Sequence, residues 1–410
     1  MTFSTDNKSS KSCAEVSLRA ICAALSGEAA IQPTDKLNHN LLLTIERHRA
    51  SLDWLIESRS TGRVRPRVRR ILQWALAELL WFDGVPTAAV VSIAVEYAKK
   101  RFAGGDASFI NAFLRRMTRD LQSSSLDAIL AAAPACVACD LPELLWKRWL
   151  SNYGEEGARQ LCAVIQQKAS VTLRCRQWPA PTAEAPSALI PIPAPDWAPW
   201  AELYTPSSET LPLDEIMQSG DFYIQDAATL LAPTLLAPMP GEYVGDFCCA
   251  PGGKSRVILE MLKGTGHLLS ADKSSKKLPI VRQNLARFDN VDIIQADAAE
   301  YEFGMLDAIL LDVPCSNTGV IRRKPDVRWS FSDEKLAELT DLQMRILENA
   351  AKAVRIGGRI VYSTCSIEPD ENQLLIRRFL EKHSDFSLKS ERLLLPTAEH
   401  DGAYAALLTK

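Results

Sequence analysis

The stretch Asp246-Phe-Cys-Cys-Ala-Pro-Gly-Gly-Lys254-Ser255 decides the reading of the fold. It begins in an apolar run, Tyr243–Cys248, and leads into a helical pattern, so it reads as a strand-to-helix loop. Two adjacent glycines let a ligand approach the backbone closely, and the amino terminus of the next helix favours a carboxylate. A phosphate-binding P-loop needs a glycine at position 248, where a cysteine stands, and no Gly-x-Gly-x-x-Gly occurs. ATPase and dehydrogenase readings therefore lack their glycine patterns.

Further apolar runs follow at His267–Asp272, Val291–Ala296, Leu306–Asp312 and Arg359–Thr364, with helical stretches between them. The clearest of these, Ser332–Val354, opens on Ser332 as a cap with Asp333 and Glu334 in the first turn. It offers Leu336, Leu339, Ile346 and Leu347 for burial and stops at Gly357-Gly358. Alternating strands and helices at this spacing predict a doubly wound, Rossmann-like α/β domain with a parallel sheet, ligands sitting at the carboxyl ends of its strands. Asp272 and Asp297 end the second and third strands, where one can reach ribose hydroxyls and the other an exocyclic adenine amine. Each alone suits a turn, but together beside a glycine loop they favour an adenosine cofactor. The expected cofactor-binding set is Cys248, Cys249, Ala250, Pro251, Gly252, Gly253 and Lys254 with Asp272, Asp297 and Asp312.

The amino-terminal part reads as all helix. Leu18, Ile21, Cys22 and Leu25 recur at helical spacing, as do Leu72, Ala75, Leu76 and Leu79, and Ile110, Phe113, Leu114 and Met117. Breaks at Asp83-Gly-Val-Pro86 and Gly104-Gly-Asp106 divide a bundle of five or six helices. Residues 1–125 hold 18 Lys and Arg against 12 Asp and Glu, about +6, so the formal net charge of −3 leaves about −9 for the remainder. Arg63, Arg65, Arg67, Arg69 and Arg70, with Lys99, Lys100 and Arg101, make a basic edge suited to a polyanion, although an ordinary solvated surface would look the same. The expected divisions are a polar tail at 1–12, the bundle at 13–125, connecting helices and a reduced subdomain at 126–220, and the α/β domain at 221–410. Between Trp178 and Trp200 stand seven prolines, a density incompatible with a central strand or a long helix.

Ten cysteines without the dense spacing of a disulfide scaffold suggest a reducing compartment. Met1 to Ser12 is too polar for a secretory signal, and no run approaches the roughly 18 apolar residues of a membrane span. A cytoplasmic protein without a membrane partner is expected. Cys136 and Cys139 form a Cys-x-x-Cys without a second pair or nearby histidine, so no metal is expected. Cys13, Cys22, Cys162 and Cys175 read as small buried hydrophobes. Cys315 and Cys365 differ, because each follows the carboxyl end of a strand, the edge where chemistry occurs, and has serine beside it.

The motifs together resemble the Nop/Sun family of RNA cytosine-5 methyltransferases. Asp246–Lys254 is similar to the family's cofactor loop, with Cys249 where alanine is usual. Asp312-Val-Pro-Cys315-Ser resembles its Asp-Ala-Pro-Cys-Ser motif, and Arg322-Arg-Lys-Pro-Asp326-Val-Arg-Trp329 is another family stretch. Tyr362-Ser-Thr-Cys365-Ser-Ile-Glu-Pro-Asp-Glu-Asn372 resembles the motif carrying the nucleophile. Gln225-Asp226-Ala-Ala-Thr229 resembles an upstream element with threonine in place of serine. Ahead of them, Asp83-Gly-Val-Pro86, Ala94-Val-Glu-Tyr-Ala98-Lys and Phe109-Ile-Asn-Ala-Phe-Leu-Arg115 resemble the NusB-like RNA-binding helical domain.

The resemblance implies S-adenosyl-L-methionine on a class I methyltransferase fold, Cys365 as nucleophile and Cys315 as the residue assisting product release. Cytosine C5 is a poor nucleophile; a thiolate at C6 turns it into an enamine carbon able to accept a methyl group, and covalent catalysis divides one hard step into easier ones. The attacking thiol needs a lowered pKa, for which Lys254 is the nearby candidate. Asp312 is placed to meet the pyrimidine N3/N4 edge and assist its protonation. DNA cytosine methyltransferases use a Pro-Cys cysteine, so the residues alone leave Cys315 and Cys365 unranked. A NusB-like domain joined to this catalytic domain implies a cytosine of 16S rRNA, in a single-stranded or loop region from which the base can leave its stack. Leu173-Arg-Cys-Arg176 departs from the family's Leu-Arg-Val-Asn in the RNA-contacting region, which leaves tRNA or another RNA as an alternative target. The alternative from another class is a non-catalytic RNA-binding assembly factor.

Overall fold

A computed structural model describes residues 6–32, 35–102, 104–182 and 184–410. By contacts it divides into two compact units, Met1–Gln166 with Lys324–Trp329, and Gln167–Arg323 with Ser330–Lys410.

The first unit is helical. Its central helix, Pro66–Trp81, starts with proline at its first position, where the missing N–H costs nothing. It buries Val68, Ile71, Leu72, Ala75 and Leu76 at the three-and-four spacing seen in the sequence. Helices Asp6–Leu25, Lys36–Arg47, Arg49–Ser58, Thr87–Arg101 and Asp106–Ser123 surround it. Of the segment expected to be a polar tail, residues 1–5 lie outside the described residues, and the helix already begins at Asp6. The side chain of Cys13 also lies outside them. The basic edge is less cationic than its sequence suggests. Arg65 and Arg67 both reach Asp106, at 2.6 and 2.8 Å, and Arg69 spans Asp53 and Glu57. Residues 324–329 belong to this unit, where the Arg328 guanidinium donates to the Asp140 carbonyl at 2.8 Å and the Trp329 indole to that of Glu46 at 2.8 Å.

The second unit holds two sheets. The smaller comprises β1 (Leu173–Cys175), β2 (Leu189–Ile192), β3 (Leu203–Pro206) and β4 (Phe222–Ile224), all antiparallel in the order β2-β3-β1-β4. The proline-rich tract thus contributes a strand, but an edge one, where the missing N–H of Pro191 breaks no second ladder. The larger sheet comprises β5 (Tyr243–Phe247), β6 (His267–Asp272), β7 (Val291–Gln295), β8 (Leu306–Asp312), β9 (Val354–Thr364), β10 (Ser387–Leu394) and β11 (Ala403–Thr409). Their order is β10-β11-β9-β8-β5-β6-β7. The five strands read from the sequence are parallel, whereas β10 and β11 add an antiparallel edge, so the sheet is mixed rather than wholly parallel. Helices cover both faces: Asp333–Ala353 and Gln373–Lys382 on one, Leu231–Leu236, Gly253–Leu262 and Leu278–Leu285 on the other. From β5 the chain winds outward through β6 and β7, then returns to β8 on the other side. The reversal opens a crevice between the ends of β5 and β8.

The small sheet is fastened to the helix after β5 by buried charge. Arg174 on β1 meets Glu260 through two bonds of 2.7 and 2.9 Å, both side chains being almost wholly buried. Arg256 and the Gln177 N–H complete the Glu260 shell. Removing one partner of such a pair strands the other charge in a low dielectric. Arg174→Ala is therefore expected to cost about 3–5 kcal/mol in urea unfolding; a loss below about 1 kcal/mol, the range of exposed pairs, would show that the joint is solvated.

Candidate active site

The loop after β5 turns sharply. Cys248 and Gly252 both have positive φ, +65° and +101°, and the Gly252 N–H closes onto the Cys249 carbonyl at 2.7 Å. Gly252 is thus where glycine is required; Gly253 opens the following helix, whose first N–H groups have no partner within the helix. The upstream Gln225 side chain reaches the Gly253 carbonyl at 3.4 Å and receives Arg174 at 2.8 Å, so the small sheet also supports this loop.

The predicted acids lie along the same strand ends but are already engaged. Asp272 accepts the Ala250 N–H at 3.1 Å and the Ser274 N–H at 2.8 Å, bracing the glycine loop. Asp297 accepts the Ala299 N–H and pairs with Lys273 at 2.7 Å, and that lysine holds its carboxyl below the ordinary range. Asp312 meets Lys254 at 2.6 Å. Burial by itself would lower the Lys254 pKa, but the Asp312 carboxylate outweighs it and the net shift is upward, so Lys254 remains an ammonium. The Asp312 carboxylate is therefore an acceptor paired with that ammonium, which is an arrangement different from a lone acid protonating a base.

Asp246 escaped the sequence reading of roles. It is fully buried, accepts Ser255 Oγ at 2.5 Å, and has its second oxygen without a partner. Burial first, then the charges of Asp312 and Asp272, push its carboxyl up to about 7 against the Ser255 bond and Lys254.

The two cysteines meet. Their sulfurs lie 3.2 Å apart, and Cys365 Sγ is also 3.1 Å from Asn317 Oδ1, a contact in which the thiol donates. Cys315 is buried, and the hydrogen bond to Cys365, followed by burial, raises it well above an ordinary thiol, so it stays protonated. Cys365 is the more exposed, and it adds to the upward shift of Lys254. Cys248 and Cys249 are pushed up by burial above all, with neighbouring aspartates adding to it, and so behave as inert thiols in the loop wall. The two cysteine loops are laced by Gly319 N–H to the Cys365 carbonyl at 3.0 Å, and by Thr318 and Ser316 hydroxyls to Ser366 Oγ at 3.1 Å each. A Cβ on Gly319 would stand 2.7 Å from the Gly402 carbonyl and 2.8 Å from that of Cys365, so only glycine allows this approach. Among the described residues no cluster of His, Cys, Asp and Glu could hold a metal ion, and no helix is long and apolar enough to cross a membrane.

Several participants were missed. Gln343 and Glu371 contact the Cys315 loop, and their signal was a glutamine on the mainly apolar buried stripe of its helix and an acid inside the Cys365 motif. Arg323 bridges Asp226 and Asp401 at 2.5 Å each, joining the Gln225-Asp226 element to the turn before β11.

Residues 233–406 match the family described as 16S rRNA methyltransferase RsmB/F, and residues 6–119 match the NusB family. The ribosomal RNA small subunit methyltransferase B of Vibrio cholerae is 34% identical over 352 residues, which is 81% of this chain and 79% of that protein. Among solved structures, PH0851 superposes with a TM-score of 0.73 at 21% identity, covering 97% of this chain and 99% of that one. NSun6 from Pyrococcus horikoshii, solved with the S-adenosylmethionine analogue SFG, gives 0.52 at 19% identity, covering 66% and 98%. With a NusB domain ahead of a Rossmann-like methyltransferase domain, and a relative of that identity over four-fifths of its length, the chain belongs to the RsmB/F family of S-adenosylmethionine-dependent RNA methyltransferases.

Proposed function

We propose that this protein methylates C5 of a cytosine in 16S rRNA, using S-adenosyl-L-methionine and a covalent adduct between Cys365 and C6 of the base. The observation that carries the reading is the pair of sulfurs 3.2 Å apart at one strand edge, one buried and protonated, the other more open and coupled to the Lys254–Asp312 pair. A methyltransferase acting on a heteroatom needs no thiol; two thiols in contact suit a carbon that must be activated and then released. An RNA substrate implies a cytoplasmic site of action.

The crevice residues fit the cofactor. Gly252 and Gly253 leave room for close approach, the helix amino terminus suits a carboxylate, and Asp272 keeps acceptor capacity beyond its two N–H bonds for ribose hydroxyls. Asp297 follows the next strand and would accept an adenine amine. The cofactor supplies an electrophilic methyl group.

The chain's own residues do the rest. Asp312 accepts from the cytosine N4 edge while paired with Lys254, whose ammonium serves as a counter-charge to the attacking sulfur. Cys365 would give up its proton to solvent before attack; as the Sγ–C6 bond forms, the C5=C6 electron pair becomes available at C5 and would take the methyl group, whose former bonding pair stays on the donor's sulfur. Loss of the C5 proton to a base then restores C5=C6 as the Sγ–C6 bond breaks. Cys315, within contact of Cys365 Sγ, is placed to assist that release.

The founding test is transfer of labelled methyl groups to unmodified 16S rRNA followed by nucleoside analysis; a product other than 5-methylcytosine would overturn the reading. Cys365→Ser is expected to abolish turnover, whereas Cys315→Ser should leave a covalent RNA adduct visible on denaturing gels. The reverse pattern would exchange the two roles. Asp272→Ala, which removes charge-assisted bonds, should raise the KM for S-adenosylmethionine by about tenfold or more; an unchanged value would remove Asp272 from the cofactor site.

A further inference from the structure

The backbone on either side of Cys315 is gripped by two side chains that touch each other. On one side, the Gln343 amide donates to the Pro314 carbonyl at 2.8 Å. On the other, Glu371 Oε1 accepts the Ser316 N–H at 2.8 Å, and Glu371 Oε2 accepts Ser316 Oγ at 2.5 Å. Gln343 also donates to Glu371 Oε1 at 2.9 Å, which closes the grip into a ring. Both side chains are wholly buried. A carboxylate in such a place costs several kcal/mol in lost hydration unless its lone pairs are met, and here three donors meet them.

The anchors come from rigid ground. Gln343 sits mid-way along the helix Asp333–Ala353, whose neighbours Met344, Ile346 and Leu347 pack in the core. Glu371 ends the short turn after the Cys365 loop, and its own carbonyl is held by Tyr362 OH at 2.7 Å. The Cys315 loop is thereby tied to the helix and to the segment that carries Cys365. We propose that Gln343 and Glu371 form a clamp that keeps Cys315 in register with Cys365, so that Glu371 is a positioning residue for resolving the covalent adduct. This rests on the reading that Cys365 forms an adduct and Cys315 helps release it. A proton-relay role fits less well. The hydroxyl chain from Glu371 runs through Ser316 to Ser366 and on to Thr318, and none of these bonds ends on a sulfur.

The test separates position from charge. Glu371→Ala removes all three acceptor contacts. Glu371→Gln keeps an amide oxygen for the Ser316 and Gln343 N–H groups, and its NH2 can donate to Ser316 Oγ, whose own hydrogen turns to Ser366. In purified full-length protein with 16S rRNA and S-adenosylmethionine, Glu371→Ala should accumulate covalent adduct about tenfold over wild type, with cofactor affinity within about twofold. Glu371→Gln should rescue adduct turnover. Equal failure of the alanine and glutamine variants would assign the role to charge and overturn the clamp, as would an alanine variant that turns over without adduct. Should Glu371→Ala not fold, Gln343→Met removes the Pro314 anchor at similar volume and is read the same way. Cys315→Ser serves as reference. If it accumulates adduct and the clamp variants do not, the clamp alone fails; if none accumulates adduct, the two-thiol reading fails with it.

Discussion

The parallel pairing of β8 with β9 is the constraint on which the site depends. Asp312 pairs with Ser363 in register, so the chains leave the sheet side by side, separated by about 4.8 Å as in any parallel ladder. Cys315 lies three residues past one strand end and Cys365 one past the other, and loops this short hold the two sulfurs close. Slipping the register by one residue would turn the neighbouring side chains to opposite faces and part the pair. Burial of Ile309, Leu311, Ile360 and Tyr362 beneath the helices makes that slip costly. Thiol contact is therefore a product of core packing as much as of loop chemistry.

The same edge concentrates like charge. Asp246, Asp272 and Asp312 end or flank neighbouring strands, and the charges of Asp312 and Asp272 raise the cost of ionising Asp246. Lys254 relieves Asp312 directly, and backbone N–H groups relieve Asp272. Asp246 has one serine hydroxyl and deep burial, so its carboxyl gains a proton most readily. The crevice is thus an acidic groove with an ammonium at one end, an electrostatic profile suited to a cationic ligand centre along the groove.

What the sequence disclosed follows from what sequence patterns can carry. The five strands β5 to β9 were legible because buried parallel strands read as unbroken apolar runs, and the bundle was legible from repeated helical spacing. β10 was illegible because Lys389, Ser390, Glu391 and Arg392 stand exposed on an antiparallel edge. The proline count correctly argued against a central strand, yet could not reveal an edge one. The basic edge was overstated because Asp106, the partner of Arg65 and Arg67, lies about forty residues away in sequence. The fold and the two thiols were therefore visible, but the pairings were not: that Asp272 braces Ala250, that Lys254 is held by Asp312, and that Gln343 reaches Pro314 are contacts between segments far apart in the chain.

Those long-range contacts explain why the departures from the family pattern are tolerated where they occur. Cys249 replaces a smaller residue, but it points into the core beside Val244 and Ile258 and presents no reactive thiol to the crevice. Thr229 in place of serine keeps its hydroxyl on the Asp226 carbonyl at 2.7 Å, and Asp226 retains the Arg323–Asp401 bridge. Leu173-Arg-Cys-Arg176 differs in letters, yet Arg174 supplies the buried bond to Glu260 and the support of Gln225 beneath the cofactor loop. Each substitution preserves the interaction that carries position to the strand edge. The two positions that depart, Cys175 and Arg176, are both buried, and Arg176 pairs with Asp221 at 2.6 Å, so the change is absorbed within the small sheet.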